Sequence, residues 1–304
     1  MNRFFSRKIS VKLAIIPVAV LLLCLMQASV YAQADVQVSK EYMIKLKDGG
    51  TFTGKVLSQN AEQIVLETAS MGTVTIQRYN IDEMRLLSSG DAMKGWYPNP
   101  NPSKYLIGSS AIAPEKGSGY YQNSWIFFNS FSYAFTDFFS ITGGFEIFSL
   151  FAGPEGVYGF YLNPKASYEV MDNLHLGGNI LYANTIRTVD EFGGLGTLNG
   201  FATYGNDNNN ITASVGWGFA ESEFSSKPLI TISGMVRASK RIGFVSENWI
   251  IPNVGEEGSY YGLFSYGIRF LGENISFDLA FINNPDLAKV IYIGVPFLDF
   301  VFNF

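Results

Sequence analysis

The C-terminal two thirds of the chain alternate apolar and polar residues in segments of about ten residues. In the segment 211–219, one set of alternate positions holds Ile, Ala, Val, Trp and Phe, whereas the other holds Thr, Ser and Gly. The same alternation recurs at 275–281 and at 298–304. No apolar run beyond residue 32 reaches the roughly 18 residues of a spanning helix. The pattern therefore predicts an all-β fold, a transmembrane β-barrel.

Twelve such segments are present, and an even number is expected for a bacterial single-chain barrel. The predicted strands are antiparallel and cover residues 104–112, 120–135, 138–150, 157–170, 174–187, 197–205, 211–220, 229–238, 241–250, 260–271, 274–282 and 292–304. Short polar turns alternate with longer connections, the first of which is Ala113–Gly119. Short turns are typical of the periplasmic side and long loops of the outer side. Both ends of the barrel are then expected on the periplasmic side.

A soluble β-sandwich also alternates apolar and polar residues along its strands. Here the apolar face consists of Phe, Trp, Leu and Ile on strand after strand. Such a face is too apolar to be left in water. We therefore expect these side chains to face lipid and the polar side chains to line a lumen.

The N-terminus has the pattern of an export signal. Basic residues precede an apolar stretch at Leu13–Met26, and small residues lie before Ala32. We expect a signal peptide at 1–32 with cleavage after Ala32, in a Gram-negative bacterium. A membrane anchor is disfavoured because Pro17 interrupts a run shorter than the roughly 20 residues that span a bilayer. A lipoprotein signal at Cys24 is disfavoured because a Leu precedes it.

Composition divides the mature chain into two parts. Of the 47 aromatic residues in the full sequence, 39 lie beyond position 100. Three prolines at 98–102 mark a stiff connection at this boundary. We predict a small β module at 35–90, a Pro-rich linker at 91–102 and the barrel at 103–304. The module is expected to have five short strands, at 41–47, 51–57, 63–68, 72–78 and 81–87.

The runs Ile44–Leu57 and Gln63–Leu87 resemble Sm-like and SH3-like β modules. Many Sm-like proteins bind RNA, but the sequence pI near 5.0 gives no basic surface for phosphate. We therefore expect no nucleic-acid partner. A periplasmic location follows from the topology, with a structural role or contact to a periplasmic protein through residues 35–90.

The C-terminus ends in Phe304, with Phe302 and Phe300 at the preceding alternate positions. This pattern resembles the signal that the barrel-assembly machinery reads in outer-membrane proteins. The run 99–147 is similar to uncharacterised outer-membrane barrel proteins of Bacteroidota. The resemblance implies a barrel surrounded by outer-membrane lipid, and it implies no catalytic residue.

The predicted inward face carries charges of both signs: Glu146, Lys165, Glu169, Arg187, Arg237, Arg269, Asp278 and Asp299. Arg269, Asp278 and Asp299 fall on successive strands, where they can pair. Such charges either close a narrow interior or line a water path. A count of twelve strands does not distinguish a closed interior from a water path, because filled barrels have about eight strands and open pores about sixteen or more. We expect a narrow or gated passage for small solutes, with a closed structural or adhesive barrel as the alternative.

The single His and single Cys limit the possible chemistry. One of each cannot build a Cys/His zinc site, so no metal or cofactor is predicted. A hydrolase would have to use His175 as its base. His175 is expected near the periplasmic rim on an inward face, whereas lipid-cleaving barrels, as a family, place their triads on the lipid side near the outer leaflet. A lipid hydrolase is therefore a minor alternative, and no catalytic residue is assigned.

Overall fold

The computed structural model describes residues 38–87, 94–151, 158–186, 193–220, 223–252 and 260–304. The predicted signal peptide, Cys24 and Arg187 lie outside the described residues. Within these ranges, none of the helices has the length and apolar character needed to cross a membrane. Three short 3₁₀ helices are present, at Arg78–Asn80, Phe148–Phe151 and Leu287–Lys289.

The N-terminal part forms a five-stranded antiparallel sheet. Its strands are β1 (Glu41–Leu46), β2 (Thr51–Gln59), β3 (Gln63–Thr68), β4 (Gly72–Gln77) and β5 (Ile81–Leu86). They are arranged in the order β4-β3-β2-β1-β5. The first hairpin turns at Gly49, whose positive φ of 90° suits glycine, and the amide of Gly50 donates to Asp48 Oδ1. All five strands were predicted from the sequence within a few residues, whereas the domain boundaries at 35–90, 91–102 and 103–304 remain predictions.

Twelve strands form the barrel. They are β6 (Gly119–Ser124), β7 (Phe128–Thr136), β8 (Phe139–Glu146), β9 (Tyr158–Met171), β10 (Leu174–Ile186), β11 (Leu195–Gly205), β12 (Asn209–Ala220), β14 (Leu229–Arg237), β15 (Ile242–Pro252), β16 (Tyr260–Leu271), β17 (Ile275–Asn283) and β18 (Val295–Asn303). The two-residue strand β13 (Glu223–Phe224) extends the end of β12. Neighbours along the chain pair antiparallel, and β18 pairs with β6 to close the barrel.

The two faces of the barrel differ in the way that the sequence predicts. On β12, Ile211 and Val215 are exposed on the outside, whereas Thr212 is buried inside. On β18, Phe300 and Phe302 are exposed, whereas Asp299 is 1% exposed. An outer face of this composition is stable against hydrocarbon and unstable in water. The chain is a transmembrane β-barrel protein. Even-numbered antiparallel barrels of this kind belong to the bacterial outer membrane.

The prediction for the first barrel strand was wrong, although the count of twelve is confirmed. Apart from one isolated bridge between Lys104 and Ser109, residues 104–112 form no strand, and they lie inside the barrel. The segment predicted as one strand at 120–135 is instead the hairpin of β6 and β7. Its turn holds Trp125 and Ile126 at positive φ, 51° and 70°. Large side chains rarely adopt this conformation, so the sequence carries no turn signal there.

The connection at 113–118 is also placed differently from the prediction, which had it among the long loops. The amide of Lys116 donates to Asp137 Oδ1 in the short turn between β7 and β8 (3.0 Å), and the amide of Gly117 donates to the oxygen of Ala134 (2.8 Å). These residues therefore lie at the short-turn end of the barrel. The opposite end, where the strands are joined by the longer segments at 147–157, 187–194, 221–228, 253–259 and 284–294, is the long-loop end.

Candidate functional site

The lumen contains a separate segment of the chain, which we call the plug and define as Asn99–Ile112. Asn101, Leu106 and Ser110 in this segment are at most 1% exposed. The plug precedes the first barrel strand and follows the five-stranded sheet in the chain. Sequence reasoning assigned its first residues to a linker and the rest to a strand.

An ion pair at the base of the lumen holds one side of the plug. Arg269 on β16 and Asp278 on β17 face each other in register, with Arg269 Nη2 2.7 Å from Asp278 Oδ2. Neither side chain is more than 1% exposed. Arg269 also donates to three carbonyl oxygens of the plug, those of Asn101 (2.9 Å), Lys104 (3.2 Å) and Tyr105 (2.8 Å). The ion pair fixes the guanidinium, so its remaining N–H groups point at the plug backbone.

A carboxylate from the neighbouring strand holds the tip of the plug. Glu247 on β15 accepts hydrogen bonds from the backbone amides of Leu106 (3.0 Å), Ile107 (3.0 Å) and Gly108 (2.9 Å). It also accepts from Trp249 Nε1 (2.7 Å). Successive amides converging on one carboxylate form an anion-binding turn. Sequence reasoning missed Glu247, although its place three residues after the lipid-facing Phe244 on an alternating strand puts it on the inward face.

Lys165 and Thr203 also bind the plug backbone. Lys165 Nζ on β9 donates to the carbonyl oxygens of Ser103 and Ile112, at 3.0 Å each. Thr203 Oγ1 on β11 accepts from the amide of Ala111 (2.7 Å). Each barrel charge in contact with the plug therefore bonds plug backbone rather than a plug side chain.

The part of the plug around Tyr105 is held both by hydrogen bonds and by apolar packing. The Tyr105 hydroxyl donates to Asn210 Oδ1 (2.7 Å) and lies 2.6 Å from Thr212 Oγ1. Below it, the plug joins a buried cluster that consists of Tyr105, Leu106, Met235, Val245, Leu271, Ala280 and Phe297. By contrast, the side-chain amide of Asn101 is buried with no hydrogen-bond partner among the described residues. The plug is thus bound to the barrel at several points, whereas the side-chain amide of Asn101 makes no hydrogen bond to the described residues.

The chain enters the lumen past Arg237. Its Nη1 donates to the carbonyl oxygen of Tyr97 (2.7 Å), and its guanidinium lies 4.9 Å from the centre of the Trp96 ring. Lys240, in the turn after β14, lies 4.4 Å from the centre of the Tyr97 ring. Tyr97 also packs against Met43 and Leu87 of the five-stranded sheet. The connection from sheet to plug is therefore attached to the short-turn end of the barrel.

The other charges predicted for the lumen lie at different depths. Asp299 is buried on β18 and accepts from Gln122 Nε2 (2.8 Å) and Ser124 Oγ (2.6 Å). Glu146 lies at the long-loop end of β8, where it accepts from the amide of Gly159 (3.0 Å). Glu169 lies near the short-turn end of β9 and accepts from the amide of Asn173 (3.1 Å). The structure thus brings Lys165, Arg237, Arg269 and Asp278 together with the plug or its entrance, but not Glu146 or Glu169.

A cavity of about 380 Å³ extends from the plug tip toward the long-loop end, and we call it the vestibule. Ile107, at the tip of the plug, faces this space and is 55% exposed. Among the described residues, the ionisable side chains with ammonium or carboxylate groups on its lining are Lys104 and Lys165. Its remaining polar lining consists mainly of Ser, Thr, Asn and Gln, with rings from Trp125, Tyr161 and Trp249.

His175 lies on β10 next to the short turn at 172–173, where it is paired in register with Glu169 and Thr203. This is the inward, short-turn position expected from the sequence. Across the described ranges, no cluster of three or more His, Cys, Asp or Glu side chains could hold a metal ion.

No protein-family model matches the sequence, and no curated protein matches it significantly. Among solved structures, the chain is similar to the KdgM porin, with a TM-score of 0.42 and 8% identity over 61% of this chain and 96% of that one. It is also similar to the NanC porin, with a TM-score of 0.38 and 5% identity over 61% and 97%. OmpT of Vibrio cholerae aligns with a TM-score of 0.31 and 9% identity over 88% and 95%.

Proposed function

We propose that this protein is an outer-membrane passage for small solutes, closed in the described conformation by the plug. The observation that carries the proposal is the means by which the plug is held. Arg269, Glu247 and Lys165 all bind its backbone through hydrogen bonds in a polar lumen. Water can replace such bonds when the segment moves, so the attachment is reversible in a way that an apolar seal is not.

Two further observations favour a passage over a closed structural barrel. The vestibule extends from the plug toward the long-loop end, so within the described residues the plug is the segment that separates this space from the short-turn end. The buried amide of Asn101 is left without a partner among the described residues in the closed arrangement. An unsatisfied buried polar group costs about 1–3 kcal/mol, and movement of the plug into water would recover it.

The five-stranded sheet is proposed to lie in the periplasm, because it joins the barrel at the short-turn end. We further propose that it is an Sm-like or SH3-like module that contacts a periplasmic protein. Since the chain runs from this sheet directly into the plug, such a contact would change the position of the plug in the lumen. Phe300, Phe302 and Phe304 are proposed to be the part of the chain that the barrel-assembly machinery binds.

Planar-bilayer recording on the mature chain tests the passage. A plug fixed by a disulfide should remain closed, and Ala111→Cys with Thr203→Cys is chosen to introduce one because the two residues are in contact, with the Ala111 amide nitrogen 2.7 Å from Thr203 Oγ1. We expect conductance events from the reduced double variant and from the unmodified chain, and their loss on oxidation. Equal conductance in the oxidised and reduced states, with the disulfide shown to have formed, would contradict gating by the plug. Absence of any conductance from folded protein would remove the passage itself.

A further inference from the structure

We propose that the vestibule binds a hydroxyl-rich molecule of about monosaccharide size that carries no positive charge. The proposal rests on the proposed function in one respect, since it takes the bound molecule to be the solute that passes. Binding itself depends only on the vestibule, so it can be measured whether or not the plug opens.

The charged groups on the described part of the vestibule lining are the ammonium groups of Lys104 and Lys165. Lys165 Nζ is occupied by the carbonyl oxygens of Ser103 and Ile112. Lys104 Nζ donates to Gln122 Oε1 at 2.5 Å. The carboxylate of Glu247 is turned to the plug amides, and among the described residues no acidic side chain is on the vestibule lining. A cationic solute would therefore lose its hydration without gaining a counter-charge and would meet two ammonium groups.

Amide side chains on neighbouring strands form the polar wall of the vestibule. Asn199 Nδ2 on β11 donates to Asn179 Oδ1 on β10 (2.9 Å) and to Thr197 Oγ1 (2.8 Å). On β9, Asn163 Oδ1 is buried without a partner among the described residues. Amides and hydroxyls both donate and accept. A wall of such groups matches hydroxyls, which also do both, better than it matches an ammonium ion.

Aromatic rings supply the remaining surface. The indole N–H of Trp249 is bound to Glu247 Oε1, and that of Trp125 is bound to the carbonyl oxygen of Pro296 (2.7 Å each). With their donors occupied, these rings offer the vestibule only apolar contact. A sugar-like molecule has the required pair of surfaces, because its C–H groups fit flat rings and its hydroxyls fit the amide wall.

The volume of the vestibule limits the size of the molecule that it can bind. Its volume of about 380 Å³ lies near the lower end of the roughly 300–1,000 Å³ found for small-molecule sites. It suits one small molecule rather than a polymer. A ligand of about a dozen non-hydrogen atoms is expected to bind with a dissociation constant near the millimolar range.

A matched series of three sugars tests the proposal on the mature chain in nanodiscs. Glucose, glucuronate and glucosamine differ little in shape, and they are compared at a pH at which glucuronate is ionised and glucosamine is protonated. Binding is followed by tryptophan fluorescence, since two of the four tryptophans line the vestibule, and independently by calorimetry. We expect saturable binding of glucose and at least about tenfold weaker binding of the cationic glucosamine, with no such loss for the anionic glucuronate.

Asn163→Leu and Asn199→Leu should each weaken glucose binding about tenfold. The matched control is Asn248→Leu, which makes the same exchange on β15 outside the vestibule lining and should bind glucose normally. Equal binding of all three sugars, or no calorimetric binding of glucose to folded protein, would overturn the proposal. Glucose binding by a protein that never conducts would support the site while removing the passage, so the two failures are distinguishable.

Discussion

The hydrogen bonds between Glu247 and the plug lead to a quantitative prediction for Glu247→Gln. The substitution keeps the shape of the side chain and removes its charge, while three plug amides still point at it. Hydrogen bonds to charged groups contribute a net of about 1.5–3 kcal/mol each, against about 0.5–1.5 kcal/mol for neutral groups. A loss of about 1 kcal/mol per bond weakens the closed state by about 3 kcal/mol.

Such a change shifts the ratio of open to closed plug by roughly 150-fold, because each 1.4 kcal/mol is about a factor of ten. The assay is the open probability in planar bilayers. Glu223→Gln is the matched control, because Glu223 is exposed on β13 and makes the same exchange away from the lumen. Folding of each variant is checked by heat-modifiable gel mobility. If folded Glu247→Gln opens no more often than the control, the carboxylate does not hold the gate and the reasoning is refuted.

Three other predictions concern the barrel itself. Arg269→Met should lower the free energy of unfolding by about 3–5 kcal/mol because it leaves Asp278 buried and unpaired, and the double variant with Asp278→Leu should recover only the part due to that carboxylate in urea unfolding, since the plug carbonyl oxygens still lack the Arg269 donor. Phe131→Lys puts a charge on the outer face of β7 and should cost about 2–4 kcal/mol in folding into lipid vesicles; an unchanged folding yield would mean that this face does not meet hydrocarbon. Phe302→Ala should slow barrel assembly in vivo without abolishing folding in detergent, which pulse-chase of the heat-modifiable form measures, and equal assembly rates would remove its proposed role in recognition.

The barrel wall could be predicted from the sequence because lipid on one side and a polar lumen on the other impose a strict period of two. The inward position of Lys165, Arg269 and Asp278 follows from the same period. The five strands of the small sheet were also predictable, since turn residues such as Asp48 and Gly49 separate them.

The plug was not predictable by the same reasoning. Residues 104–112 mix apolar and polar side chains as a barrel strand does, and their partners, Glu247 and Arg269, lie more than 130 positions away in the chain. A local pattern does not reveal such contacts. The count of twelve strands was confirmed only because a second error, at the turn of Trp125, compensated for the first.

The order of plug and wall along the chain has a consequence for how the protein is made. The plug is synthesised before every strand that surrounds it, and the ring is completed only when the last strand meets the first, at the seam of β18 and β6. A barrel that closed before the plug had entered would exclude the plug. Lys165 would then lack the plug carbonyl oxygens that it binds, and Glu247 would lack the plug amides. We therefore expect the barrel to close around a plug that is already in place.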